Sequence, residues 1–449
     1  MTEKKYLSFF NKFGYGTGDF ASNIIYQMVA SFVLIYMTNT VGMDAGIVGT
    51  LILLSKLLDG VSDVFIGNLI DRTHTKMGKA RPWMLFSFFG CAAALVATFS
   101  VPEAIGDAAK YIYFFITYTV MNAVFYTADY IAYSSLTSLI TRNQNERVQM
   151  GTFRFIGSML SSVVVSNLTL VLVERFGGGD AGWKWTAVAF ALLGLAVNTF
   201  SVFSVKELPA EKSEPTEEKR AGLIETFRKL FSNKYFIYLT VLYVLFYLLM
   251  GISMGGAIYY FLYNCGDAGW FGTMVTASCI GSVAGLIITP WQVKKCRGIR
   301  ALNLGAFSIN FLLRIVFLIL ALQFKALSLV ILYGFVSLTM CTLGGTFNAL
   351  VSEASDYTFL KTGKRLDGSM YSCTSFGMKV GGGLGSAISG WLLAASHFDS
   401  SAAVQPIECT NMLTFMVAGV PLIITAVVIF IYFKLDVEKT NQELRKECR

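Results

Sequence analysis

The sequence predicts an all-α polytopic membrane protein of twelve transmembrane helices arranged as two six-helix halves, and three observations predict it. Of its 449 residues 55% are hydrophobic and 14% charged, with a mean hydropathy of +0.59, a balance that belongs to membrane-spanning chains rather than to soluble domains. The apolar residues collect in runs of about 18 to 27, each long enough to cross roughly 30 Å of hydrocarbon as a helix. The basic residues alternate between connections. With both termini cytoplasmic, 28 of the 36 Lys and Arg fall in cytoplasmic segments, whereas the outer loops hold only Lys110, Arg175, Lys184 and Lys325.

The elements follow in order. The first span, 14–38, comes after a short basic start with no small-residue cleavage signature, so it is expected as a retained helix rather than a signal peptide. Spans 46–70, 82–101, 110–138, 149–173 and 185–205 complete an N-terminal half, residues 1–205. The connection 206–234 is polar and mixed in charge. Its stretch "AGLIETFRKLF" is expected to form an amphipathic helix at the membrane surface. Spans 235–263, 269–291, 301–323, 327–352, 371–396 and 412–434 make the C-terminal half, and 435–449 is a cytoplasmic tail. A missed or extra helix would scramble the alternation of basic loops beyond it, and no scrambling occurs. The net charge of +8 is thereby explained by topology, and no nucleic-acid partner is implied. The short basic connections "DRTHTKMGKARPW" and "KKCRGIR" hold corresponding places in the two halves, an echo of the repeats seen in transporters with a midplane substrate site.

Of the eight cysteines none forms a CxxC or Cys/His metal spacing. Only Cys265 and Cys409 fall on the outer side, the compartment in which a disulfide is conceivable. His74 and His397 are the two histidines and both lie in loops. With no metal-ligand set, nucleophile–base pair or phosphate loop, an enzyme is not expected, and no cofactor is called for.

The informative residues are ionisable ones inside spans: Asp19, Lys56, Asp59, Asp63, Asp129, Arg154, Arg314 and Lys379. Eight unpaired charges at hydrocarbon depth would cost on the order of 20 kcal/mol, so they must face an interior and be paired or hydrated. Four are acidic and four basic. Lys56, Asp59 and Asp63 share a helical face at i, i+3, i+7; Asp19, Asn23 and Tyr26 form a stripe on the first helix, and Tyr126, Asp129 and Tyr133 on the fourth. Carboxylates, amides and hydroxyls beside aromatic faces suit a polyol. Lys56 and Arg154 are expected to hold the acidic cluster neutral, and Arg314, nearer the outer side, to serve packing or gating. Asp59 and Asp63, one turn apart, repel when both are ionised and so require a cation or a proton. Ser62 supplies a neutral oxygen to such a site.

"YGTGDFASN", "LLDGVSD", "DRTHTKMGKARPW" and "GMKVGGG" resemble the glycoside–pentoside–hexuronide:cation symporters, a branch of the major facilitator superfamily that includes the melibiose permease. The resemblance runs through nearly the whole chain in the same order. It implies a bacterial inner-membrane symporter that imports a sugar with Na⁺, Li⁺ or H⁺ as the coupling ion, functioning as a monomer among membrane lipids. Carried over by position, it implies that Asp19 and Asp129 grip sugar hydroxyls, with Arg154 beside them and Tyr26 at the border. Asp59 and Asp63 match the cation-site carboxylates, and Lys379 the lysine close to that site. Departures stand beside these matches: Gly18 replaces a lysine, Tyr133 a sugar-stacking tryptophan, Tyr126 a threonine near the cation, and Ser62 an asparagine. "GNLIDRTHTKMGKARP" resembles the superfamily loop in which Gly67 permits close helix approach and Asp71 with Arg72 gate the cytoplasmic side. A lysolipid or other amphiphile carried with a cation by the same fold is the alternative substrate class.

Overall fold

The computed structural model describes residues 5–208, 232–296, 298–362, 370, 372–400, 402 and 404–447. The surface helix expected at 221–231 lies outside the described residues, which contain helices and a single isolated bridge, Thr75 to Gly78. In chain order the helices are α1 (Phe9–Ile35), α2 (Ala45–Asp71), α3 (Arg81–Thr98), α4 (Asp107–Thr119), α5 (Thr127–Ile140), α6 (Gln144–Arg175) and α7 (Gly179–Ser204). Then come α8 (Lys234–Tyr259), α9 (Gly269–Lys295), α10 (Ile299–Leu322), α11 (Ala326–Thr362), α12 (Ser372–Ala395), α13 (Ile407–Thr414), α14 (Val420–Lys434) and α15 (Val437–Glu447).

Each expected span corresponds to one helical stretch, because α4 runs into α5 through a π-helical turn, Val120–Tyr126, and α13 into α14 through another, Phe415–Gly419. Among the described residues ten stretches are long and apolar enough to cross a membrane. The α4–α5 stretch is not one of them, since it spends its positions on Tyr, Thr and Ser and on Asn122 and Asp129. Large apolar side chains such as Phe65, Phe86, Ile287 and Leu312 stand exposed on these helices, as surfaces facing lipid tails do.

The chain divides into two compact units, Met1–Glu211 with Ser386–Cys409, and Lys212–Gly385 with Thr410–Arg449. The boundary thus falls within α12, and residues 386–409 group with the first six spans rather than with the half that the sequence assigns them to. Close backbone packing is the reason. Gly390 lies so near the Ala45 carbonyl and Gly49 of α2 that a Cβ would collide, and Trp391 Nε1 donates to Thr50 Oγ1 at 2.9 Å. The first unit has a core that includes Tyr15, Ile70, Met84, Tyr133, Leu136 and Val202. The core of the second includes Tyr235, Leu239, Phe307, Phe347 and Tyr432. Cys265 and Cys409 are both free thiols.

The faint echo between the halves becomes a repeated device. In the first unit Glu207, just after α7, accepts from the backbone N–H of Lys79, Ala80 and Arg81 at 2.7, 2.9 and 3.0 Å, and Arg81 Nε donates back to the Val202 carbonyl at 2.8 Å. In the second Glu438, just after α14, accepts from the N–H of Ile299 and Arg300, both at 2.9 Å. Arg300 donates back to the carbonyls of Tyr432 and Phe433. A carboxylate on the orphan N–H groups of a helix start satisfies them and opposes the helix dipole. Gly78 and Gly298, with φ of +115° and +119°, make the entry turns, a conformation that a side chain would strain.

Candidate functional site

The first unit gathers the buried charges around α1, α2, α5 and α6. α1 and α6 cross at two glycines: a Cβ on Gly157 would meet the Gly16 carbonyl oxygen at 2.6 Å. That close approach sets Asp19, one turn beyond Gly16, against Arg154, one turn before Gly157. Arg154 Nη2 lies 3.3 Å from Asp19 Oδ1, and Asn23 Nδ2 donates to Asp19 Oδ2 at 3.1 Å. The ion pair is mostly buried, which makes its mutual neutralisation essential in an apolar surround.

Asp129 is 1% exposed. Ser22 Oγ donates to its Oδ2 at 2.6 Å, while Oδ1 is buried and has no hydrogen-bond donor among the described residues. A buried carboxylate oxygen without a donor carries a desolvation penalty, and an incoming hydroxyl would relieve it.

Aromatic rings line this region in a continuous ladder. Tyr26 stacks on Tyr126 with centroids 5.5 Å apart, and Tyr126 on Tyr130 at 5.9 Å. The Arg154 guanidinium then lies 5.8 Å from the Tyr130 ring and 4.6 Å from that of Tyr133, which stacks in turn on Tyr15 at 4.7 Å. At the other end the Lys56 ammonium sits 5.2 Å from the Tyr26 ring. The three stacked rings Tyr26, Tyr126 and Tyr130 thus have a cation over a π face at each end, Lys56 on one side and Arg154 on the other. Tyr133 is fully buried, and Tyr15 and Arg154 both pack on its ring, so a sugar could stack on it only after one of them moves. Gly18 explains how Tyr133 reaches this place, since a Cβ there would meet the Tyr133 ring at 2.7 Å. The lysine of the resembling permease and this tyrosine position exclude one another.

On α2, Asp59 is buried and accepts a short hydrogen bond from Thr127 Oγ1. Ser62 Oγ spends its hydrogen on the Asp59 carbonyl at 2.9 Å, leaving its lone pairs free to face a cation. Asp63 lies one turn further on the same face and is half-buried. Lys56 does not neutralise a carboxylate here: among the described residues its polar partner is the amide oxygen of Asn122, at 3.1 Å. Lys379 belongs to α12 in the second unit and is half-buried. Arg72 is exposed at the end of α2, and the Asp71 side chain lies outside the described residues. Among the described residues nothing lies within 4 Å of a Cβ added at Gly67.

The structure therefore brings Asp19, Asn23, Tyr26, Asp129, Tyr133 and Arg154 into one neighbourhood. It adds Ser22, Asn122, Thr127 and Tyr130, none of which the sequence reading singled out. Ser22 could have been found, since Tyr15, Asp19, Ser22 and Tyr26 all fall on one face of α1 at helical spacing. Asn122 and Thr127 could not, because a π turn separates them and breaks the periodicity on which face assignments rest.

The second unit holds a different buried charge. Arg314 on α10 is 2% exposed; its Nε donates to Asn310 Oδ1 at 2.8 Å, and its Nη2 lies 3.9 Å from Met340 Sδ. Asn310 passes its own hydrogens to the Val336 carbonyl and Thr339 Oγ1, both at 2.8 Å. No carboxylate pairs with this guanidinium among the described residues.

Comparison with known proteins places these features. Residues 14–439 match the family model described as MFS/sugar transport protein. A protein named as an uncharacterized symporter, YnaJ of Bacillus subtilis (strain 168), is 30% identical over 454 residues, covering 98% of this chain and 95% of its own length. The isoprimeverose transporter of Lactiplantibacillus pentosus is 27% identical, covering 97% of this chain and 91% of its own length. Among solved structures, a bacterial homolog to the human lysosomal transporter Spinster superposes with a TM-score of 0.68 at 13% identity, covering 98% of this chain and 99% of its own. At that identity the likeness establishes the fold.

Proposed function

The chain belongs to the MFS/sugar transport protein family, and from that premise we propose that it is a symporter coupling a cation gradient to the import of a glycoside, pentoside or hexuronide. Its fold is that of the major facilitator superfamily, and it is a membrane transporter rather than an enzyme. The observation that carries the sugar reading is the buried Asp129 Oδ1 without a donor, close to the Asp19–Arg154 pair and the tyrosine ladder. Carboxylates accept sugar hydroxyls, the guanidinium donates to ring or hydroxyl oxygens, and the ladder offers flat apolar faces to C–H groups. The relatives named as an isoprimeverose transporter and as a symporter point the same way.

In this reading Asp59, Asp63 and Ser62 form the cation site, Lys379 has the coupling role that the resemblance implies for it, and Asp71 and Arg72 gate one side. Na⁺, Li⁺ or H⁺ is cargo rather than a resident cofactor. Filling the site relieves the repulsion of two carboxylates one turn apart, which favours the state that grips sugar and makes the two ligands bind cooperatively. The protein works in the bacterial inner membrane as a monomer, with both termini cytoplasmic, so the basic connections face inward.

Uptake into reconstituted vesicles tests this. A panel of galactosides, glucosides, xylosides and glucuronides is offered under an imposed Na⁺, Li⁺ or proton gradient. Uphill accumulation of one sugar under one gradient is the expected result. Folded protein that accumulates none of them under any gradient would overturn the sugar reading in favour of an amphiphile such as a lysolipid.

A further inference from the structure

The helix that carries Asp129 is not a regular α-helix where it passes α2. Its π turn, Val120–Tyr126, is followed at once by Thr127, whose hydroxyl also lies 3.1 Å from the carbonyl of Asn122 five residues back. Two contacts reach from this turn to α2. Asn122 accepts from the Lys56 ammonium, and Thr127 donates to the Asp59 carboxylate. On α2 these partners are three residues apart, on one face. On an α-helix turning about 100° per residue, Asn122 and Thr127 would point about 140° apart and could not both meet α2. The widened turn brings them into register. The Asn122 amide is aimed as well as placed, because its Nδ2 donates to the Tyr118 carbonyl at 3.0 Å, leaving Oδ1 toward Lys56.

Lys56 is three residues from Asp59 and seven from Asp63 on the same face, so its ammonium is a tethered competitor for the site that the cation must occupy. In this structure it is held elsewhere, by one amide oxygen and the face of Tyr26. Resting on the cation site proposed above, the geometry points to Asn122 as a positioning residue for coupling: the π turn parks Lys56 on Asn122 and thereby keeps its ammonium from competing with the transported cation at Asp59. Relaxation of that turn toward an α-helix would withdraw the amide and release the ammonium onto Asp59. It would also rotate Asp129, two residues beyond Thr127. One element of the first unit thus links occupancy of the cation site to the carboxylate offered to sugar.

The test measures binding of Na⁺ and Li⁺, as the probe ions, to purified full-length protein in lipid nanodiscs, with choline as the replacement cation. Asn122→Ala frees the ammonium and is expected to weaken the half-saturating concentration about tenfold. Lys56→Met on top of Asn122→Ala removes the competitor and is expected to restore affinity to within about twofold of the unsubstituted protein. A variant that merely folds badly would not be rescued this way. Asn122→Asp, which holds the ammonium more firmly, is expected to bind at least as tightly as the unsubstituted chain. Unchanged affinity in Asn122→Ala, or no rescue by Lys56→Met, would overturn the inference while leaving the symporter reading intact. An unsubstituted protein that binds neither ion would overturn the metal-cation site and this inference together.

Discussion

The two units hold their ends alike and their interiors differently. Glu207 and Glu438 each bind the start of a helix, and Arg81 and Arg300 each return a bond to the carbonyls of a neighbouring helix end. Inside, the first unit contains Asp19, Lys56, Asp59, Asp129 and Arg154 along a tyrosine ladder, whereas the second contains Arg314 wrapped in an asparagine and a methionine. What repeats is the scaffold, and what differs is the chemistry. Arg154 faces a carboxylate and two aromatic rings, the setting of a site that admits a polar ligand. Arg314 lies in a network of Asn310, Val336, Thr339 and Met340 within the unit, the setting of a buried polar group that serves packing.

Substitutions can break this contrast. The largest effect is expected for Asp129→Ala and Asp19→Ala, which should weaken sugar binding by at least about 100-fold, because sites built around a hydroxyl contact discriminate by as much as about 10⁴. Equilibrium binding of the transported sugar measures it. Asp63→Cys should instead abolish gradient-driven accumulation while some sugar exchange persists, read by counterflow in vesicles; equal, modest losses from Asp19→Ala and Asp63→Cys would remove the division between sugar and cation sites.

Next in size is Arg154→Lys, which keeps the charge but loses the planar fork packed on Tyr133, and should lower sugar affinity by about tenfold. Arg314→Met sets the control for the other unit: it leaves Asn310 Oδ1 without its donor and so costs about 1–3 kcal/mol of stability, while initial uptake by the folded protein should stay within about twofold. A large loss of uptake in Arg314→Met with normal folding would make Arg314 part of the ligand chemistry rather than of the packing. The smallest effects belong to the shared scaffold, where Glu207→Ala and Glu438→Ala should each cost about 1 kcal/mol of stability by loss of a helix-start acceptor. Thermal unfolding in detergent would show them as similar shifts; a shift confined to one would end the equivalence of the two caps.

The spans were legible because length and hydropathy of a run decide whether a helix can cross a bilayer, and because basic residues partition between its sides. The buried Asp, Lys and Arg were legible for the same reason, since an ionisable residue in such a run announces itself. So was the stripe Asp19–Asn23–Tyr26, which lies on a regular stretch of α1 where spacing fixes the face. The family, too, stood in motifs spread along the chain.

Pairing was decided by the tertiary structure alone. Periodicity does not say which face meets which: that Arg154 answers Asp19 follows from the crossing at Gly16 and Gly157, and that Lys56 answers an amide rather than a carboxylate follows from the π turn. The same holds for residues 386–409, which join the first unit through Gly390 and Trp391 although the chain places them in the second half. Composition and spacing are local properties of the chain, whereas the partner of a buried charge is set by helix crossings and helical irregularities that bring together residues 66 and 135 positions apart.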